Sequence, residues 1–250
     1  MAARGDHIVR YIYRGEDGER IPADATKIFV VNVTSLRARA GTFANHRNIA
    51  EIICHEKVEK IEANAFEICI PLKRLHMPGV RVAEESAFSW CMALADVECG
   101  KLEIMKRGSF LGCSSLRIIN LPSAKIVEVC TFWHCGALVD VKFGSKLERI
   151  EWRAFYACHS LERITIPLKD GMFSYLNTFQ GCHNLRQVDL VEGGVHETIA
   201  ALQLEEWRND MNEEIDSINQ ILPNTSAGYY DEEDDDGGEK VEIREKRRWQ

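Results

Sequence analysis

The chain has 250 residues, 45% of them apolar and 28% charged, which is an ordinary globular composition with enough length to bury a sizeable core. No apolar stretch nears the ~18 residues needed to span a bilayer, so a membrane-spanning helix is excluded. The net charge of −8 argues against a nucleic-acid partner, and it is unevenly spread: residues 231 to 239, DEEDDDGGE, carry seven acids and no base.

Residues 1–34 are predicted to form an N-terminal β cap. HIVRYIYRGEDGERIP reads as a hairpin with Gly15 and Gly18 in its turn, and KIFVV (27–31) supplies a further strand. The opening residues place no apolar run ahead of their charges, so no signal peptide is expected and the cytoplasm is the expected compartment. Nine cysteines, an odd number in a chain of this length, are expected to be reduced thiols.

Residues 35–195 repeat themselves. Seven phenylalanines, Phe43, Phe66, Phe88, Phe110, Phe132, Phe155 and Phe179, are spaced 22 to 24 residues apart. Three positions after each stands His46, then Cys69, Cys91, Cys113, Cys135, Cys158 and Cys182. Six positions after comes an isoleucine or leucine. Nine and eleven positions after come apolar residues that alternate with polar ones, the mark of a short strand with one buried face. Pro78, Pro122 and Pro167 help end these strands, because proline cannot donate to a ladder. A second apolar pair, such as Val58 and Ile61 or Leu102 and Met105, precedes each phenylalanine by eight and five residues. A unit of about 22 residues cannot enclose a core, but stacked units can, which predicts a mostly β solenoid with parallel strands on one face. The end repeats look eroded, with Ser35 in a turn column of the first and Gly171 and Ser174 in those of the last.

The register also disposes of two chemical readings. Cys158 beside His159, and Cys182 beside His183, carry the raw material of a nucleophilic site. Cys130, His134 and Cys135 would supply three zinc ligands. Six thiols, however, occupy the inward column at plus three, and Cys54 and Cys99 replace apolar residues at plus eleven; only Cys130 lies outside these columns. A thiol in such a column acts as a small hydrophobe. No catalytic, cofactor-binding or metal site is therefore expected, and no nucleotide-binding or hydrolase motif is present.

Function in a solenoid resides on its exposed strand face. The outward positions that would meet a partner are Glu51, Arg74, His76, Asp96, Glu98, Asn120, Asp140, Lys142, Arg163 and Asp189. Glu51, Arg74 and Asp96 should be successive neighbours, as should Asp140 and Arg163, so opposite charges are expected to pair across strands. The face has no stripe of one sign and no aromatic cluster.

After Gly193 and Gly194 the period turns helical. Ala200, Leu204, Trp207, Met211, Ile215, Ile218 and Leu222 fall three or four apart, which predicts an amphipathic helix over 196–222. It either closes the open end of the solenoid or pairs with a helix of another chain, and capping is the expectation. Residues 223–250 read as an acidic, solvated tail.

The segments CSSLRIINLP, AFYACHSLERITIP and CIPLKRLHMP resemble the BspA-like class of leucine-rich repeats, and the resemblance covers residues 35–195. The flanking stretches GERIPADATKIFV and HETIAALQLEEWRNDMNEEIDSIN are similar to those of such proteins expanded in diatoms. The resemblance implies a leucine-rich repeat solenoid serving as an intracellular interaction protein or as a surface adhesin. The residues and the resemblance together predict a non-enzymatic protein–protein interaction module without cofactor, with an adhesin-like surface protein as the alternative.

Truncation after Gly194 tests the capping helix. If Leu204, Trp207, Met211 and Ile218 cover the last repeat, each contributes about 1.5–3 kcal/mol before entropy is counted. The truncated protein should then melt lower and associate end to end in sedimentation velocity. A monomer with an unchanged melting temperature would instead mark the helix as a site for a second chain.

Overall fold

The computed structural model describes residues 8–191, apart from 17–18, 37–42, 44–45, 168, 170–171 and 174–176. The helix expected at 196–222 and the acidic tail at 223–250 lie outside the described residues.

The period-2 segments form parallel strands in the predicted register. Arg10–Tyr13, Lys27–Val30, Glu51–Cys54, Arg74–His76 and Asp96–Glu98 make one five-stranded sheet. Ile118–Leu121, Asp140–Phe143, Arg163–Ile166 and Gln187–Leu190 continue the same face as a four-stranded sheet. Alternate residues point inward, so Ile52, Leu75, Ile119, Val141 and Ile164 are buried while their neighbours stay accessible.

A second parallel ladder, not anticipated from the sequence, forms where each turn returns. Six two-residue strands, from Ser35–Leu36 to Arg149–Ile150, run in order along this back sheet. Their inward residues are Leu36, Ile61, Ala83, Met105, Val127 and Ile150, all fully buried.

Between the sheets the seven phenylalanines stack. Their ring centroids are 4.8 to 5.5 Å apart at every step from Phe43 to Phe179. That distance matches the ~4.8 Å separation of hydrogen-bonded strands, so rings and ladders share one repeat distance.

Three expectations are corrected. The N-terminal segment is not a hairpin, because Arg10–Tyr13 runs parallel to Lys27–Val30. A parallel partner requires a long connection rather than a tight turn. The Glu19 carboxylate organises that connection by accepting the backbone N–H groups of Arg14 and Glu16 and the Tyr11 hydroxyl. The segment thus adds another strand to the solenoid, and Tyr13 extends the aromatic stack, 5.0 Å from Phe43.

Ser35 does not occupy the inward column. Ser35 pairs with Lys60, so Leu36 pairs with Ile61 and fills the column from seven residues before Phe43. At the other end Phe173 bridges Ile150 and meets Phe179 at 5.6 Å, taking the place assigned to Ser174. In both cases a large apolar side chain takes the column, fully buried at Leu36 and partly buried at Phe173.

Phe110→Ala should cost roughly 3–5 kcal/mol, because the cavity is lined by rings of both neighbouring repeats. Tyr13→Ala should cost clearly less in the same denaturant melts, since Tyr13 lies in the first strand, edge-on to Phe43 and still 7% exposed. Equal losses would contradict additive stacking of repeats.

Candidate functional site

The turn between the two sheets explains the thiols. The residue two before the phenylalanine has positive φ in Asn64, Ser86, Gly108, Cys130 and Arg153. The residue two after has positive φ in Ile68, Trp90, Gly112, His134, Ala157 and Gly181. For L-residues this conformation costs about 1–2 kcal/mol each. It is offset because it turns alternate N–H groups toward the next repeat. Gly108, Phe110 and Gly112 donate to the carbonyls of Val129, Thr131 and Trp133, and the neighbouring turns repeat this pattern. The glycines and Asn64 were the sequence signal for these two columns.

Within the same turn five of the six plus-three thiols donate to a phenylalanine carbonyl of an earlier repeat, while Cys69 points at the His46 carbonyl at 3.9 Å. Cys91 reaches Phe66 at 3.1 Å, Cys113 reaches Phe88 at 3.3 Å, and Cys135 reaches Phe110 at 3.2 Å. Cys158 reaches Phe132 at 3.1 Å and Cys182 reaches Phe155 at 3.0 Å. All nine cysteines are free thiols; eight are buried and Cys182 is half-buried. Cys130, left unassigned by the inward columns, sits in the left-handed position at φ 57.

Burial pushes the thiols of Cys54, Cys69, Cys99 and Cys135 up to about 12 from the ordinary 9.0, and it holds Cys113 and Cys158 well above that ordinary value. A thiolate nucleophile is disfavoured there. The imidazoles also face elsewhere. His159 is exposed, with Nδ1 3.0 Å from the Gly181 carbonyl, and its ring stacks on His183 at 6.3 Å. Among the described residues no three His, Cys, Asp or Glu side chains are grouped to hold a metal ion.

The strand face carries the residues predicted to meet a partner. Glu51, Arg74 and Asp96 are in register, and His76 lies beside Glu98, with Nδ1 2.6 Å from the carboxylate. These five residues and Ile53 line a groove of about 420 Å³. Asn120, Asp140, Lys142, Arg163 and Asp189 lie on the other sheet of the same face. The expected cross-strand ion pairs are redistributed. Asp140 is in register with Arg163 but pairs with Lys142 at 3.6 Å, while Arg163 pairs with Asp189 at 3.7 Å. Glu51 pairs with Lys27 at 2.8 Å, one strand earlier than the sequence suggested. Glu51 thus takes the residue directly opposite on the preceding strand, Asp140 a neighbour two residues along its own strand, and only Arg163 reaches diagonally, past Gln187 to Asp189.

The model of the BspA type leucine-rich repeat region, six copies, matches residues 36–130 and 105–203. The chain belongs to the BspA-type leucine-rich repeat family. Among solved structures, this BspA-type chain is similar to a leucine-rich repeat protein from Bacteroides ovatus, at 19% identity and a TM-score of 0.52, over 73% of this chain and 42% of that one. It is also similar to a leucine rich cell surface protein from Faecalibacterium prausnitzii, at 24% identity and a TM-score of 0.54, over 73% of this chain and 48% of that one. The chain thus spans less than half the length of either, and at these identities the likeness concerns the fold. No curated protein matches it. A solenoid of this type is in general a repeat scaffold rather than a catalytic fold.

The raised thiols predict alkaline sensitivity. An unfolded chain releases these protons near pH 9, whereas the folded chain holds them to about pH 12, so the folded state binds more protons between these values. The thiols' contribution to stability should be complete below pH 9 and fall as pH rises through that window. Denaturant melts at pH 8 and pH 10.5 should show a smaller alkaline loss in Cys135→Ala than in wild type; equal losses would refute the assignment.

Proposed function

We propose that this protein is a non-enzymatic interaction module that receives a partner protein on its strand face, at Glu51, Arg74, His76, Asp96 and Glu98 and onward to Asp189. The observation that carries this reading is the groove across the first repeats, where half-buried Ile53 lies among charges of both signs. An apolar floor with a charged rim is the usual anatomy of a protein interface. Ile118, 58% exposed, is a second apolar residue on the same face, in the first strand of the next sheet. Nine free thiols fit a reducing compartment, the cytoplasm.

A second reading, a surface repeat protein, is favoured by the F. prausnitzii neighbour, which is described as a cell surface protein. Titration of thiols in denatured protein from its native source separates the two: nine reactive groups support the reducing compartment, and few support export.

Quantitative affinity capture tests the face. Partners held by wild type should be lost with Arg74→Glu/Glu98→Lys and retained with Lys125→Glu on the back sheet. Partners that survive the strand-face substitutions would refute the reading.

A further inference from the structure

Along the turn edge, between the two sheets, the left-handed residues two after each phenylalanine, and the residues two further on, carry side chains that the core does not absorb. In repeats two and three these are apolar. Ile68, Ile70, Trp90 and Met92 are 38%, 48%, 41% and 41% exposed. They are four of the seven exposed large hydrophobic residues among those described. The Trp90 indole lies across the next repeat, at Gly112, where an added Cβ would come within 2.5 Å of the ring. Gly112 therefore keeps the indole flat along the edge.

In repeats five and six the same edge becomes aromatic and cationic. The Arg153 guanidinium sits 4.1 Å over Trp152, 5.0 Å from Tyr156 and 5.6 Å from Trp133. The Nε of Arg153 and the Nε1 of Trp133 are buried and have no hydrogen-bond partner among the described residues. The cations along the back sheet differ from Arg153. Lys60, Arg81, Lys106, Lys125 and Arg149 on the back sheet each pair with a glutamate. No such pair joins Arg153 to a carboxylate among the described residues. Arg107 adds positive charge nearby: its field and that of Arg153 both act on the Cys130 thiol, opposing the rise that burial causes.

The chemistry of the missing partner follows. With its faces covered by rings and Nε buried, the guanidinium leaves its two terminal NH2 groups for an outside partner, and that planar fork matches a carboxylate. A phosphate site built on backbone N–H groups is excluded here. The N–H groups of Cys130, Phe132 and His134 already donate to Trp152, Ala154 and Tyr156 of the next repeat.

We propose that the turn edge is a second docking surface, for a segment of a partner protein that sets apolar side chains on Trp90 and Met92 and carboxylates at Arg153. Repeats two to six span about 20 Å at ~4.8 Å per repeat, the length of about 13 helical residues. This surface is independent of the strand face, so either can fail alone.

The test uses peptides from a displayed random library selected on the full chain, with affinities measured by fluorescence anisotropy. Selection should enrich sequences that combine Leu, Phe or Trp with Asp or Glu. Arg153→Gln and Trp90→Ala should each weaken the selected peptides at least tenfold, at an unchanged far-ultraviolet circular dichroism spectrum. Arg107→Gln, an exposed position that leaves the ring cluster intact, should weaken them severalfold. Arg163→Gln on the strand face should leave them unaffected. Failure to enrich any sequence, a consensus lacking acids, or affinity that survives both Arg153→Gln and Arg107→Gln would overturn the proposal. Affinity lost in Arg163→Gln and kept in Arg153→Gln would overturn it too, and would leave the strand-face reading standing.

Discussion

The stack of phenylalanine rings is the constraint on which the rest of the molecule depends. From Phe66 to Phe155 each ring is fully buried and lies against one ring before it and one after. Offset aromatic faces settle near the distance that parallel strands require. One spacing therefore satisfies the rings, both ladders and the turn hydrogen bonds together. Where the chain departs from the usual repeat length, the extra residues leave the register. Leu36 and Phe173 keep their columns, and the connections at the two ends differ in length instead.

The turns show how the polar groups are met. Three N–H groups per central turn donate forward to the next repeat, and the thiol donates backward to a phenylalanine carbonyl. A buried carbonyl accepts two bonds readily, and a cysteine at plus three offers the second donor without the volume of a larger side chain. This is a stronger reason for cysteine than small size alone. It also leaves little main-chain hydrogen-bonding capacity at the turn edge for a ligand. Recognition there falls to side chains.

Three surfaces result, with different charge logic. The back sheet carries lysines and arginines matched to glutamates, such as Lys60 with Glu84 and Lys125 with Glu103. Such exposed pairs contribute little stability each but keep the face soluble. The strand face mixes charges of both signs around Ile53 and Ile118. The turn edge exposes Trp90 and Met92 in one repeat and, three repeats on, an arginine held by rings. The first surface is satisfied within the molecule, whereas the other two offer apolar anchors and charge to something outside it.

The sequence alone determined the solenoid, because a period of 22 to 24 residues with fixed inward columns admits few other ways to bury them. It also determined which strand-face residues are neighbours, since parallel register follows from aligning the repeats. It marked seven of the eight buried thiols as packing groups but not Cys130, and it placed half-buried Cys182 with them; the bonds to phenylalanine carbonyls were not legible. Tertiary structure decided what depends on reach and direction. Arg163 turns to Asp189 rather than Asp140 because a long side chain selects among neighbours by geometry, not by register. Arg10–Tyr13 joins the sheet in parallel because a glutamate-held loop carries the chain across, which a turn signal at Gly15 and Gly18 could not reveal. The cluster of Trp133, Trp152, Arg153 and Tyr156 was hidden for a related reason. Its members come from different columns of two repeats, and only the left-handed backbone at His134 and Arg153 brings those columns to one edge.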